Sequence, residues 1–351
     1  MNDDAKWEGS INDYEDTIFA MLGFANFYRY DDDSRQMRPG VSVMQGWRFT
    51  PIQMQENNEA SPEAVTPVTP DLAILLEAGD GVVAEVKKSF PMDKTLWMTD
   101  FEQLMRYDAE LDGWPCASGR VSSHDIVLLV HQSRARRVTD YYREQSAADK
   151  VRFVKPFVIV EFNRSAERQP YFFFRTFEGK LSETTLDSRL HDGVPVPMIA
   201  LVGQYSMVKL YDGPPPMPYL LHIIWQEIIT PKVEAKKPLN ELRRRQKVEV
   251  IIDADDLTNE LRDKFSFKAL FGGDHPRQPK VPAREWVRAA CDQLIAGKLA
   301  DWVESSEGVR LKVYFQRMDD VLAAFKNMCS KPSTGTQGVL FAEAVGEGPQ
   351  S

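Results

Sequence analysis

Apolar and polar positions divide the chain into alternating helical and strand patterns. Residues 11–28 place apolar side chains at Ile11, Ile18, Met21, Leu22 and Phe24 behind a cluster of acids. This spacing predicts a helix beginning near Asn12 or Asp13, its acidic end favoured by the helix dipole. A polar loop over 29–40, a short strand over 41–50 and an irregular Pro-, Glu-, Asn- and Thr-rich loop over 51–69 follow. Two largely apolar runs, residues 72–77 (LAILLE) and 81–87 (GVVAEVK), flank a glycine-bearing turn and read as a hairpin. Residues 94–111 show helical spacing through Leu96, Phe101, Leu104, Tyr107 and Leu111, and residues 125–131 (DIVLLVH) read as a buried strand.

Farther along, residues 132–150 are charged and helical in pattern, and 157–162 and 171–177 are strand candidates. Residues 186–218 are rich in Pro and Gly and end in Gly213-Pro214-Pro215-Pro216, which places a domain boundary at 212–218. The back part predicts a helix (219–229), a basic connector (232–247), a strand (248–252), helices over 255–265 and 282–298, and a hairpin of 299–303 with 309–315. Helix, helix, hairpin is the winged-helix order. Residues 330–351 are Gly-, Ser- and Thr-rich and read as a disordered tail.

Charge sharpens this division. The net charge is -9, which argues mildly against a general nucleic-acid coat. Residues 1–80 hold 5 Lys/Arg against 15 Asp/Glu, whereas residues 231–317 hold 18 against 14. An acidic front and a mildly basic back suit a metal-site domain followed by one that touches phosphates. Three widely spaced cysteines make neither a metal-ligand pair nor a disulfide framework, and the acidic N-terminus lacks a signal-peptide pattern, so the expected setting is the cytoplasm. No run of apolar residues is long enough for a membrane span. GxxxxGK[ST], GxGxxG and GxSxG are all missing from the sequence, which leaves ATPase, dinucleotide and serine-hydrolase chemistry unsupported.

The chemistry-bearing residues lie around the first hairpin. Pro70-Asp71 stands just before one strand, and Glu85-Val86-Lys87 lies on the next; Gln103 and Tyr107 follow on a helix. Glu85 and Lys87 share a strand face, and Gln103 and Tyr107 share a helix face. A charged pair inside an otherwise apolar strand needs partners or a metal. This constellation resembles the PD-(D/E)xK nuclease superfamily, and QLMRY at 103–107 resembles the QxxxY element of its RecB-like branch. The likeness covers roughly residues 11–131.

The resemblance implies an α/β fold with a restriction-endonuclease-like core, a mixed central sheet flanked by helices. The expected organisation is a nuclease domain over 1–212, a C-terminal α+β winged-helix-like domain over 213–329, and the tail. It also implies a Mg²⁺- or Mn²⁺-dependent deoxyribonuclease. Asp71, Glu85 and the Val86 carbonyl would hold the metal, Lys87 would serve water activation, and Gln103 and Tyr107 would organise the site. Glu15 is the candidate acid on the preceding helix, with Asp13 and Asp16 as rivals. Candidate phosphate contacts are Arg134 and Arg137 after the buried strand, Arg284 and Arg288 on the second back helix, and Arg310 and Lys312 in the wing hairpin. His124 and His131 read as structural. On fold-level analogy alone the setting would be restriction, repair or anti-phage defence. The expected partners are DNA and, from the acidic surface, a second copy or partner subunit completing a positive channel. Two alternatives stay open: a non-catalytic nucleic-acid-binding or assembly protein on the same fold, and a nuclease subunit silent until a partner activates it.

Overall fold

A computed structural model describes residues 3–31, 36–37, 41–45, 68–76, 79–88, 96–111, 115–116, 119–165, 171–241, 248–266, 281–305 and 308–330. The chain divides into two compact units. The larger comprises Asp13–Pro214 and Arg262–Pro282; the smaller comprises Met1–Asn12, Pro215–Leu261 and Ala283–Ser351.

The larger unit is built on one mixed sheet of seven strands: β1 (Ser42–Gln45), β2 (Leu72–Leu75), β3 (Asp80–Lys87), β4 (Ser123–His131), β5 (Phe157–Ser165), β6 (Tyr171–Glu178) and β7 (Val194–Pro197). Their spatial order follows their sequence order from β1 to β7. The β3–β4 and β4–β5 pairs are parallel, and the other four pairs are antiparallel. Parallel neighbours need long crossovers, here supplied by α2 (Trp97–Glu110) between β3 and β4 and α3 (Gln132–Ala147) between β4 and β5. Two short ribbons, Tyr30–Asp31 with Gln36–Met37 and Pro115–Cys116 with Gly119–Arg120, stand outside this sheet.

The central strands are apolar on both faces because helices cover both. On one face Val83, Ile126, Leu128, Val130 and Ile159 pack with Trp97, Phe101, Leu104 and Tyr107 of α2 and with Val138 and Tyr141 of α3. On the other lies α1 (Asp3–Arg29), which starts well before the expected Asn12 or Asp13. Its residues 17–28 are all buried, the pattern of a helix surrounded by protein. Phe19 meets Phe172 with ring centroids 5.9 Å apart, and Phe24 meets Phe174 at 6.0 Å. Gly23 is required there, because a Cβ would stand 2.9 Å from the Phe174 ring.

The Pro- and Gly-rich stretch, to which the sequence reading assigned no elements, holds α4 (Thr184–Asp192), β7 and α5 (Met198–Tyr205). The Glu183 carboxylate accepts from the backbone N–H groups of Thr185 and Leu186 and caps α4. Gly193, at φ 94°, ends it. Pro195 and Pro197 fit a strand because β7 is an edge, with Val194 and Val196 turned inward.

The smaller unit carries a three-stranded antiparallel sheet, with β10 (Gly308–Phe315) between β8 (Val248–Asp253) and β9 (Ala300–Ser305). Between β8 and β9 in sequence come α8 (Ala254–Phe265) and α9 (Arg284–Ala296). Helix α6 (Met217–Ile223), a π-helical turn (Ile224–Ile229) and α7 (Thr230–Glu234) precede β8. Trp225 of that turn stacks on Phe315 at 5.2 Å and meets the edge of Phe325. Phe325 belongs to α10 (Val321–Ser330), a helix that sequence patterning did not mark.

The expected split at 212 differs from these units at two places. The start of α1 joins α10, with Trp7 Nε1 donating to Ser330 Oγ at 3.1 Å and Lys326 pairing with Glu8 at 2.9 Å. Residues 262–282 group with the larger unit, where the Phe265 carbonyl accepts from Lys209 and Leu210 N–H. The expected tail beyond Ser330 and the loop over 51–67 lie outside the described residues.

Candidate active site

Strand alternation sets the site. Val83, Glu85 and Lys87 share the β3 face that α2 covers. The antiparallel register pairs Leu72 with Ala84, which brings Asp71, one residue earlier, beside Glu85 and Val86. Asp71 Oδ2 accepts from the Val86 backbone N–H at 2.7 Å, so the aspartate is fixed to the strand that carries the glutamate.

Glu85 is the hub. It is only 4% exposed, and both its oxygens are engaged. Oε1 accepts from Gln103 Nε2 at 3.1 Å and stands 3.1 Å from Lys87 Nζ. Oε2 accepts from the Tyr107 hydroxyl at 2.7 Å. Gln103 also donates to the Tyr107 oxygen. That oxygen lies 3.2 Å from the Thr69 carbonyl as well, but a phenol has one proton. The shorter contact to a charged acceptor takes it. His124 Nε2 lies 3.0 Å from the Tyr107 carbonyl and steadies this turn of α2.

Lys87 Nζ has a second carboxylate, Asp100 Oδ1, at 3.1 Å. Sequence reasoning missed Asp100, although a signal was there: Asp100, Gln103 and Tyr107 are spaced i, i+3, i+7 on one helix face. It also missed Tyr211 and Asp212. Asp212 raises the Asp71 pKa, and Asp71 in turn raises that of the Tyr211 phenol; both residues come from a segment about 140 residues farther along the chain, and no local pattern announces them. Tyr14 holds that segment: its hydroxyl contacts Tyr211 N at 3.2 Å and Gly213 O at 3.4 Å, and its ring lies 4.5 Å from that of Tyr211.

The electrostatics follow from this crowding. Burial raises the Asp71 pKa well above the ordinary carboxylate range. Glu85 and Asp212 raise it further, against the lowering effect of Lys87 and the Val86 N–H. Burial opposes the charge on Lys87, yet Glu85, Asp100 and Asp71 outweigh it and hold the ammonium pKa above its usual value. Burial, with Glu85 and Asp71 nearby, also pushes the Tyr107 phenol up, so it stays a donor.

The remaining sequence candidates are placed elsewhere. Glu15 accepts from the Tyr205 hydroxyl at 2.6 Å, and among the described residues no hydrogen bond or ion pair joins it to Asp71 or Glu85. Its rivals Asp13 and Asp16 hold Lys88, at 2.8 and 2.6 Å, and Arg164 also pairs with Asp16 at 3.1 Å. The physical reason is alternation, which sends Lys88 away from the Lys87 face and toward α1. Arg134 and Arg137 lie in the first turns of α3, where the Arg137 guanidinium sits 5.9 Å from the Trp97 ring centre. Arg284 pairs with Asp255 at 3.2 Å and Lys312 with Glu249 at 3.0 Å; Arg288 is exposed and Arg310 half-buried.

The donor set suits a hard divalent cation. Asp71, Glu85 and the Val86 carbonyl are oxygen donors, and the buried carboxylates outnumber the ammonium that compensates them. Among the described residues no three His, Cys, Asp or Glu side chains form a ready-made metal cage. Among the described residues no helix is long and apolar enough to cross a membrane. No protein-family model matches the chain, and no curated protein or solved structure is significantly similar to it.

Proposed function

We propose that this protein is a Mg²⁺- or Mn²⁺-dependent nuclease that hydrolyses phosphodiester bonds in DNA. The observation that carries the reading is the convergence of Lys87, Gln103 and Tyr107 on the buried Glu85, with Asp71 tied to the adjacent Val86 N–H. A buried strand acid served by three donors costs stability unless a function retains it. The choice of DNA rests on the PD-(D/E)xK resemblance, as do the finer fold terms: a restriction-endonuclease-like core and a winged-helix-like small unit. The sequential strand order and the β8–α8–α9–β9–β10 succession support those terms.

A bound cation would lower the pKa of a coordinated water and offset charge on the scissile phosphate. The chain does the rest. Asp71 and Glu85 supply the ligand oxygens. Gln103 and Tyr107 fix the Glu85 carboxylate in one orientation, which raises its precision as a ligand. Lys87, held charged, orients water or a non-bridging phosphate oxygen and stabilises developing negative charge.

A second reading is a nuclease subunit silent until a partner acts, favoured by the full engagement of Glu85 in the described network. A cleavage assay on supercoiled plasmid and single-stranded DNA with Mg²⁺, Mn²⁺ or EDTA, beside Lys87→Ala and Asp71→Ala, tests both. Metal-dependent cutting lost in both variants is the expected result. Metal binding that needs Asp71 but yields no cutting would favour the silent subunit, and no metal binding at all would overturn the site.

A further inference from the structure

We propose that Asp100 is a positioning residue that retains the Lys87 ammonium at the site when Glu85 turns to a cation. This rests on the nuclease reading above. Lys87 Nζ lies 3.1 Å from Glu85 Oε1 and 3.1 Å from Asp100 Oδ1, so the ammonium bridges two carboxylates with unlike duties. Glu85 is buried among Gln103, Tyr107 and Asp71 and belongs to the cation; Asp100 sits in the first turn of α2, with its side chain 20% exposed beside a Lys87 that is 26% exposed.

A cation on Glu85 repels the ammonium and competes for the same oxygen lone pairs. With Glu85 as its sole anchor, the flexible lysine would leave at the moment it is needed. Asp100 removes that conflict. An ammonium has three donors: one goes to Asp100, and the others can meet Glu85, water or a phosphate oxygen. Helix geometry places Asp100 on the α2 face that carries Gln103 and Tyr107, so α2 orients both the acid and the base of β3. Placement of a charge before the reaction, rather than during it, is where such contacts gain rate.

The test uses the full chain and three variants, Asp100→Asn, Asp100→Glu and Lys87→Ala, with Mg²⁺-supported cleavage of a labelled duplex. Asp100→Asn is expected to lower kcat about tenfold or more while KM and the calorimetric Kd for Mn²⁺ move less than about threefold. Asp100→Glu should recover most of the loss, and Lys87→Ala marks the full loss against which both are read. A readout independent of turnover is the labelling rate of Lys87 by an amine reagent in saturating Mn²⁺, read by peptide mass spectrometry. It should rise at least about threefold in Asp100→Asn and stay low in Asp100→Glu. Unchanged kcat, or unchanged labelling where the wild type binds Mn²⁺ without cutting, overturns the role of Asp100 alone. Wild-type protein that neither cuts nor binds Mn²⁺ overturns the nuclease reading, and Asp100's role with it.

Discussion

Both units carry charged side chains on β-strands, and they use them in opposite ways. In the larger unit Glu85 is buried and Lys87 mostly so; each has more than one partner, and three of these partners, Asp100, Gln103 and Tyr107, belong to the helix of the next crossover. In the smaller unit Lys312 and Tyr314 lie on the outer face of β10, where Lys312 pairs with Glu249 and Tyr314 with Asp301 across the ladder. Exposed pairs of the second kind form readily and contribute little. Buried networks of the first kind are costly when incomplete and are retained where chemistry needs them. The same residue types therefore point to function in one place and to a solvated face in the other.

The comparison breaks first at Glu85. Under the nuclease reading, Glu85→Gln removes a ligand charge for which no other group substitutes. Cleavage is expected to fall by about 10³-fold or more, and Mn²⁺ binding by calorimetry should weaken in parallel. Full activity in this variant would reduce the buried network to architecture. Tyr107→Phe is the next largest. It removes the 2.7 Å donor from Glu85 Oε2 and the acceptor of Gln103, while leaving the ring in its pocket. Metal affinity or rate should drop by about 10–100-fold, and urea unfolding should show a loss of about 1.5–3 kcal/mol.

Asp71 offers a test with the opposite sign for stability. Its folded pKa is raised, so the stability linked to it is fully present below the unfolded pKa and lost as pH rises through the folded value. At neutral pH without metal, burying Asp71 therefore costs the fold stability. Asp71→Asn keeps an oxygen for the Val86 N–H and removes the charge. Its melting midpoint in EDTA at pH 7 should exceed that of the wild type by about 2–4 °C, with the gap closing toward pH 4. Added Mg²⁺ should stabilise the wild type and not the variant. A lower midpoint for Asp71→Asn in EDTA would show that the carboxylates are compensated by the protein itself.

Those residues were legible in the sequence for definite reasons. Strand and helix periodicity put Glu85 with Lys87 and Gln103 with Tyr107, and a short hairpin brings Asp71 beside them. Asp100 was legible in principle, since it completes the i, i+3, i+7 face. Tyr211 and Asp212 were not, because only tertiary packing of Tyr14 against Tyr211 delivers them. Glu15 meets Tyr205, and its rivals Asp13 and Asp16 meet Lys88: helix phase does not say which side of β3 the helix packs on, and α1 packs on the Lys88 side. In the fold, α4, β7 and α5 were hidden by prolines that an edge strand tolerates. The start of α1 was hidden because it packs with α10 in the smaller unit, a contact more than 300 residues distant in sequence.

The smallest expected effect lies at Lys312, and it sharpens the comparison from the other side. Its ammonium is matched by Glu249 at 3.0 Å and lies 5.4 Å from the Tyr314 ring centre, on a sheet face that also presents Asp301. A winged-helix wing that grips DNA needs unmatched positive charge, and each phosphate contact contributes about one unit to the salt dependence of binding. Lys312→Ala should therefore leave the melting midpoint and the slope of log Kd against log salt unchanged, as measured by anisotropy with a labelled duplex. Glu249→Gln frees the lysine, and should steepen that slope by up to about one unit if the face approaches a phosphate. A slope that already falls by about one in Lys312→Ala would mean that DNA displaces Glu249, and the outer face of β10 would then join the nucleic-acid surface rather than stand as a solvated ladder.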